Sequence, residues 1–176
     1  MLLAREQGCY QLGVKMPETK VTPDKKHSTA IIDSLINIHI FDILNSKELG
    51  VVAKHMNLVD VDPGEYVFKE GDYGDYVCFV ANGSLEVLKK SVAGDTVVIA
   101  TLSRGRSIGE MSVIDHFPRS ATVRARTKAT LVTLTHKEFD SILDKHPEIG
   151  AKILKGIALL LSQNLRKTSS MLADYM

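Results

Sequence analysis

Residues 107–126 read SIGEMSVIDHFPRSATVRAR, and the two ends of this stretch carry complementary chemistry. Near its start, Gly109 and Glu110 combine a backbone that a ligand can approach closely with a hydrogen-bond acceptor. Nine residues after the acid stands Arg119, whose planar guanidinium suits a phosphate. The stretch predicts either a ligand with a sugar at one end and a phosphate at the other, or a Glu–Arg salt bridge across a surface turn. The residues alone leave both interpretations open.

A short helical turn is predicted over residues 111–116, and its free N–H groups favour an anion. Beyond the arginine, the Ser120 hydroxyl and the next backbone amide are further donors. The candidate ligand-binding residues of the stretch are Gly109, Glu110, Met111, Ser112, Arg119, Ser120 and Ala121.

Around this stretch, residues 57–134 consist of short β-branched runs separated by recurring glycines. The runs LEVLKK and TVVIATL flank the turn-like SVAGD, and the alternation in TVRAR places Val123 and Ala125 on one face. Short strands at regular spacing with glycine turns are typical of an antiparallel β-sandwich or barrel. The glycines at 71, 74 and 83 are expected to form turns.

Helical patterns lie on both sides of the strand block. Ser46 is a candidate N-cap for a one-sided helix that precedes the strands. After the strands, HKEFDSILDKHP predicts a short helix, and a long helix is predicted from Pro147 to Tyr175. Its apolar residues form one row that includes Ile153 and Ile157, and a second row of Leu154, Leu161, Leu165 and Leu172. Two rows predict two buried surfaces, one on the sheets and one on a partner helix; the alternative is one broad stripe against the core.

Composition limits the class of protein. The 176 residues are 44% hydrophobic and 24% charged with a net charge of +1, which is ordinary for a globular protein and requires no nucleic-acid partner. Cys9 and Cys78 are too few for a disulfide framework, so a buried reduced thiol at Cys78 and a cytoplasmic location are expected. The longest apolar run, IALLL, is too short to cross a bilayer. Residues 1–28 are predicted to be an extension or linker.

Catalytic and metal-site patterns are not evident in the sequence. The six histidines include no His-x-His pair, and most lie in predicted helices or linkers. No Ser–His–Asp or Cys–His arrangement can be argued. A metal-dependent enzyme on a small β-barrel is therefore the weaker hypothesis, and no catalytic residue, metal or cofactor is expected.

The motif Gly109-Glu110, followed by apolar residues and then by PRSATV at 118–123, resembles the phosphate-binding cassette of cyclic nucleotide-binding domains. Residues 63–87, PGEYVFKEGDYGDYVCFVANGSLEV, resemble the strand–turn–strand core of the same family, which includes catabolite activator protein and protein kinase A regulatory subunits. The resemblance covers about residues 35–172. It implies a mainly β fold, an antiparallel jelly-roll barrel over about 57–135, flanked by N-terminal helices and by C-terminal helices over 136–175, in one domain spanning 29–176.

The resemblance also implies roles for single residues. Glu110 would bind the ribose 2′-hydroxyl, with Gly109 supplying backbone, and Arg119 would pair with the cyclic phosphate. Ser120 and the Ala121 amide would assist the arginine.

Two further positions follow from the resemblance alone. Asp75, in EGDYGD, matches an aspartate that steadies the arginine. In the long helix, LRKTSSML resembles Leu-x-x-Thr-Ser of the bacterial activator, which carries Thr168 and Ser169 onto positions at the adenine edge, one of them across a dimer axis. Both hydroxyls are otherwise read as solvated helix residues.

The implied function is that of a non-enzymatic allosteric sensor that binds a cyclic nucleotide. Cyclic AMP is the expected ligand; cyclic GMP, another nucleotide, or a ligand-free dimerisation scaffold of the same fold are the alternatives. The expected partners are the nucleotide, a second copy through the C-terminal helix and an effector protein. DNA and membrane binding by this chain are not expected, since seven residues after Ser169 cannot hold a recognition helix.

Overall fold

Eight strands form two four-stranded antiparallel sheets in the computed structural model, which describes residues 25–91, 93–115 and 117–173. The strands are β1 (Asn57–Val61), β2 (Tyr66–Phe68), β3 (Tyr76–Asn82), β4 (Ser84–Lys90), β5 (Thr96–Ser103), β6 (Ser107–Ile108), β7 (Thr122–Ala125) and β8 (Ala129–Thr135). One sheet has the order β1-β8-β3-β6 and the other the order β2-β7-β4-β5.

Helices flank the strands on both sides in sequence. They are α1 (Lys25–Leu35), α2 (Ser46–Val52), α3 (His136–Lys145) and α4 (Pro147–Ala173), with short 3-10 helices at His39–Phe41, Ala53–His55 and Glu110–Val113. The predicted fold class, mainly β with flanking helices, is confirmed. The predicted barrel is not closed, because the strand pairing of the described residues keeps the two sheets separate. None of the described helices combines the length and hydrophobicity that a bilayer crossing requires.

Strand β3 is buried on both faces over residues 76–80, which explains the uninterrupted apolar run there. Cys78 and Val80 pack between the sheets, whereas Val77 and Phe79 pack under the helices. The Cys78 thiol is free and buried as predicted, and burial raises its pKa to about 12, so it stays protonated. On β7, Val123 and Ala125 point into the core as the alternation predicted.

Two predicted boundaries change. Asn45 caps α2 instead of Ser46: its side chain accepts from the backbone N–H groups of Lys47 and Glu48, and the Glu48 side chain accepts from the Asn45 N–H. The asparagine therefore forms a complete capping box. Helix α1 includes residues 25–28, which were predicted to belong to the N-terminal extension. The rest of that extension lies outside the described residues.

Helix α4 uses one of its two apolar rows in the core. Ile153 and Ile157 are buried against the N-terminal helical segments and α3. In the other row, Leu154 is 37% exposed and Leu165 is 68% exposed. The core-facing surface is confirmed, and the surface for a partner helix stays a prediction. The predicted end at Tyr175 lies outside the described residues.

Candidate functional site

The Gly109–Glu110 turn is held at the edge of the sheet by β6, which pairs with β3 through Ile108 and Cys78. Gly109 has a φ of 82°, a left-handed conformation that glycine adopts without steric cost. The 3-10 helix that follows runs from Glu110 to Val113, so the predicted helical turn over 111–116 starts one residue earlier and is shorter. The turn aims the Glu110 side chain inward.

Arg119 is fixed from both its backbone and its side chain. Its N–H donates to the Asp72 carbonyl at 2.8 Å, and its own carbonyl accepts from the Gly71 N–H at 2.9 Å. The side chain is only 4% exposed. Its Nη1 donates to Ser112 Oγ at 2.9 Å and to the Gly109 carbonyl at 3.4 Å, while Nη2 donates to the Tyr76 carbonyl at 2.8 Å. These acceptors are all neutral, so none of the hydrogen bonds of the guanidinium is to a carboxylate.

Two aromatic rings and one glycine enclose the guanidinium. The Arg119 Cζ lies 4.1 Å from the centre of the Phe68 ring and 4.6 Å from that of the Tyr76 ring. A Cβ on Gly74 would overlap the guanidinium. Gly71 has a φ of 86° and forms a turn as predicted, but Gly74 has no positive φ and is needed for this close approach.

Glu110 is 8% exposed, and burial raises the pKa of its carboxyl although the charge of Arg119 opposes the shift. Its Oε2 has no hydrogen-bond partner, and neither does Arg119 Nε; among the described residues these are the buried side-chain polar atoms in that condition. Buried polar atoms are nearly always paired in folded proteins. The two exceptions therefore mark the same small region as a place for a ligand.

An open cavity with about 540 Å³ of empty space, its mouth included, lies between the two groups. Its lining is Phe68, Ile108, Gly109, Glu110, Met111, Ser112, Asp115, Phe117, Pro118, Arg119, Ser120 and Ala121. The structure thus brings together every candidate that the sequence identified between positions 109 and 121.

Three predicted residues are not at the cavity. Asp75 is exposed, and its backbone carbonyl accepts a hydrogen bond from the His136 N–H. The carbonyl that binds the Arg119 guanidinium belongs to the next residue, Tyr76. Thr168 and Ser169 lie on the exposed part of α4, where the Thr168 hydroxyl donates to a carbonyl of its own helix. In a single chain, neither helix residue reaches the lining.

Sequence reasoning missed the residues that hold the arginine. Phe68 ends β2 and Tyr76 begins β3, so the chain between them brings two rings to one place. Lys89 was not predicted either. Its Nζ donates to the Ser120 carbonyl and to a carboxylate oxygen of Glu70, both at 2.6 Å. Aromatic residues on either side of EGDYGD were the only pattern that could have pointed to the rings.

A comparison with known families identifies the family to which the domain belongs. The family model of the cyclic nucleotide-binding domain matches residues 58–146, which include both loops of the cavity. The chain belongs to the cyclic nucleotide-binding domain family. In the described part of this domain, no three His, Cys, Asp or Glu side chains are grouped as metal ligands would be.

Relatives place the domain in longer proteins of different kinds. A cAMP-dependent protein kinase regulatory subunit of Yarrowia lipolytica is 37% identical over 109 residues, which are 62% of this chain and 28% of the relative. Lysophospholipase nte1 of Neurospora crassa is 35% identical over 100 residues, which are 57% of this chain and 7% of the relative. The chain therefore spans less than a third of either protein.

A solved structure agrees with the whole architecture. The cyclic nucleotide-binding domain from Methylobacillus flagellatus KT superposes with a TM-score of 0.76 at 26% identity, covering 86% of this chain and 85% of that one. The match extends well beyond the strands, so the helices on either side belong to the shared fold.

Proposed function

We propose that this domain binds a cyclic nucleotide in the cavity between Glu110 and Arg119 and acts as a regulatory module without catalytic activity of its own. The observation that carries the proposal is that two buried polar atoms without a hydrogen-bond partner, Glu110 Oε2 and Arg119 Nε, belong to residues that line the same cavity. An empty scaffold of the same fold would gain nothing from leaving both unpaired, since each costs free energy when buried.

The phosphate end of the ligand is assigned to Arg119. A guanidinium has five N–H donors. Protein acceptors take two from Nη1 and one from Nη2, which leaves the Nε donor and one Nη2 donor for a ligand. Adjacent donors on a planar group match two oxygens of one phosphate. The phosphate would also be a negatively charged partner for the guanidinium. The Ser120 hydroxyl and the Ala121 amide would be additional hydrogen-bond donors to it.

The ribose end is assigned to Glu110. Its Oε2 can accept a hydrogen bond from a ribose hydroxyl, and Gly109 offers backbone in the same turn. A hydroxyl donor favours the ionised carboxylate, and so it would offset the burial that raises the pKa of Glu110. A carboxylate beside the phosphate would be repulsive, so the two groups serve opposite ends of the ligand. Met111 and Ser112 complete this side of the lining.

Cyclic AMP is the nucleotide we propose, with cyclic GMP as the alternative. The regulatory subunit of Yarrowia lipolytica is named as cAMP-dependent. The family resemblance points the same way, because it implies a serine at the position of Ser120 in the bacterial activator-like domains that bind cyclic AMP. Thr168 and Ser169 are proposed to contact the purine, one from its own subunit and the other from a second copy associated through α4. The exposed Leu154 and Leu165, which lie on one face of α4, provide an apolar surface for such a homodimer.

The regulatory output would be a change in the position of α4 that an effector protein reads in the cytoplasm. A ligand shifts such an equilibrium only by its different affinity for the two states, typically about 1–3 kcal/mol. The 3-10 helix of the cavity contacts α3 through His136, whose Nδ1 donates to the Val113 carbonyl at 3.0 Å. Helix α3 in turn packs on α4, so a continuous set of contacts joins cavity and helix.

Thermal unfolding with and without cyclic AMP or cyclic GMP tests the proposal. A ligand at 100 times its dissociation constant stabilises a protein by about 2.7 kcal/mol, which is readily measured. We expect a concentration-dependent rise of the unfolding midpoint that is larger for cyclic AMP, and none for adenosine at the same concentration. Equal midpoints with every nucleotide up to millimolar concentration would overturn the proposal.

A further inference from the structure

Arg119 is a buried cation that forms no hydrogen bond or salt bridge with a carboxylate among the described residues. Burying a charge is costly unless it is paired or well solvated by the protein. The hydrogen bonds of its guanidinium all go to uncharged oxygens. Two of these acceptors are backbone carbonyls, and the third is the side-chain oxygen of Ser112. The arginine therefore depends on neighbouring groups that hold it without neutralising it.

The aromatic rings are such groups. Both rings lie within the distance at which a guanidinium is attracted to an aromatic face. They are fixed relative to each other: their centroids are 6.3 Å apart at 68°, and the Tyr76 hydroxyl donates to the Val67 carbonyl at 2.7 Å. Burial raises the pKa of the Tyr76 phenol, so it remains a donor at neutral pH.

Ser112 is the third group. It is buried, and it lies in the 3-10 helix that also carries Glu110. Its N–H donates to the Gly109 carbonyl at 3.2 Å, and its hydroxyl accepts from Arg119 Nη1 at 2.9 Å. The serine thereby ties the arginine to the turn that presents the carboxylate, and it sets the separation of the two ligand-binding charges.

We propose that Ser112, Phe68 and Tyr76 are positioning residues that hold Arg119 in its binding orientation before a ligand arrives. This inference rests on the proposed function, because the orientation they fix is the one that offers Nε and Nη2 to a phosphate. A flexible arginine would have to be ordered at the moment of binding, and preorganised groups avoid that entropic cost. The sequence indicated Ser112 as a ligand-binding candidate, and the family resemblance implied the steadying role for Asp75.

A double-mutant cycle tests the proposal. Affinity for cyclic AMP is measured by calorimetry for wild type, S112A, R119K and the S112A/R119K double variant. R119K keeps the charge but removes the planar group that the serine and the rings hold. We expect S112A to weaken binding on the order of tenfold beside Arg119 and to have no effect beside the lysine. An equal loss in both backgrounds, or no loss in either, would overturn the proposal.

The rings are tested by F68L and the conservative F68Y. F68L should weaken binding of cyclic AMP while F68Y retains it, because only the leucine lacks an aromatic face. Thermal unfolding identifies any variant that has lost its fold, and F68Y supplies the folded control. Loss of affinity in both variants, with their folds intact, would show that the ring serves packing and not the arginine.

A readout without ligand separates this inference from the proposed function. Nitrogen-15 NMR of the Arg119 Nε–H in the ligand-free protein reports how firmly the guanidinium is held. We expect slow solvent exchange in wild type and faster exchange in S112A. If Nε–H exchange is faster in S112A than in wild type but the wild type binds no cyclic nucleotide, the proposed function is refuted and the positioning role is not. Unchanged exchange in S112A would refute the positioning role.

Discussion

The backbone of Gly74 lies against the guanidinium of Arg119, and a Cβ at position 74 would overlap its Nε and Cζ. Replacement of Gly74 by alanine should therefore displace the arginine from its acceptors. Overpacking a buried site typically destabilises a protein by about 1–3 kcal/mol. Here the added Cβ displaces the group proposed to bind phosphate. We expect G74A to weaken cyclic AMP binding by about tenfold or more in a calorimetric titration.

G50A is the matched control for that substitution. Gly50 lies in α2 with nothing within 4 Å of the position where a Cβ would stand. Alanine in a helix is favoured over glycine by roughly 0.8–1 kcal/mol, so G50A should be slightly more stable than wild type and bind cyclic AMP equally well. A G74A protein that binds as tightly as G50A would contradict the close approach.

Glu110 gives a prediction in which stability and binding change in opposite directions. Burial raises the pKa of the folded carboxyl above its ordinary value of 4.5, so the ionised form is disfavoured in the folded state. We expect E110Q to unfold at a higher temperature than wild type at pH 7 and to bind cyclic AMP more weakly. E148Q, at the exposed first turn of α4, is the control and should bind like wild type.

The sign of the pH dependence follows from the same shift. A group whose pKa is raised by folding adds stability below its unfolded pKa, and this stability is lost as the pH rises through the folded pKa. The stability advantage of E110Q over wild type should therefore grow as the pH rises from about 4.5 towards neutrality. Unfolding midpoints of both proteins at matched pH values measure it. A constant difference across that range would contradict the raised pKa.

The sequence was sufficient to predict the elements and the lining of the cavity, because both depend on local patterns. Short β-branched runs with glycines predicted the strands, and the motif from Gly109 to Ala121 predicted seven lining residues. What holds Arg119 depends on pairing between distant strands. Phe68 meets the arginine because β2 pairs with β7, and no periodicity within either segment encodes that contact. In the single chain, Thr168 and Ser169 lie away from the cavity, because the described side chains of α4 beyond Leu161 are exposed.

The cap of α2 shows the same limit at short range. Asn45 and Ser46 are both suitable capping residues, and only the backbone geometry selects between them. N45A should lose about 1 kcal/mol of stability in a denaturant titration, whereas S46A should change it little. Equal losses in the two variants would contradict the observed capping box.

The exposed row of α4 predicts self-association. Leu165 is a large apolar side chain that the described residues leave uncovered. If a second copy packs there, L165D should shift the protein towards monomer in sedimentation equilibrium, while Q163D, which adds the same charge on another face, should not. A wild type that remains monomeric at high concentration with cyclic AMP present would exclude this dimer.

The most direct measurement is the calorimetric affinity of R119A for cyclic AMP, set beside R126A. Arg126 is an exposed arginine directly after β7 and is not part of the cavity lining, so its removal takes away the same charge without changing the cavity. Each charge-assisted hydrogen bond is worth about 1.5–3 kcal/mol, and so R119A should bind roughly 10- to 100-fold more weakly than wild type while R126A binds normally. Undiminished affinity in a folded R119A protein would contradict the assignment of the phosphate to this arginine.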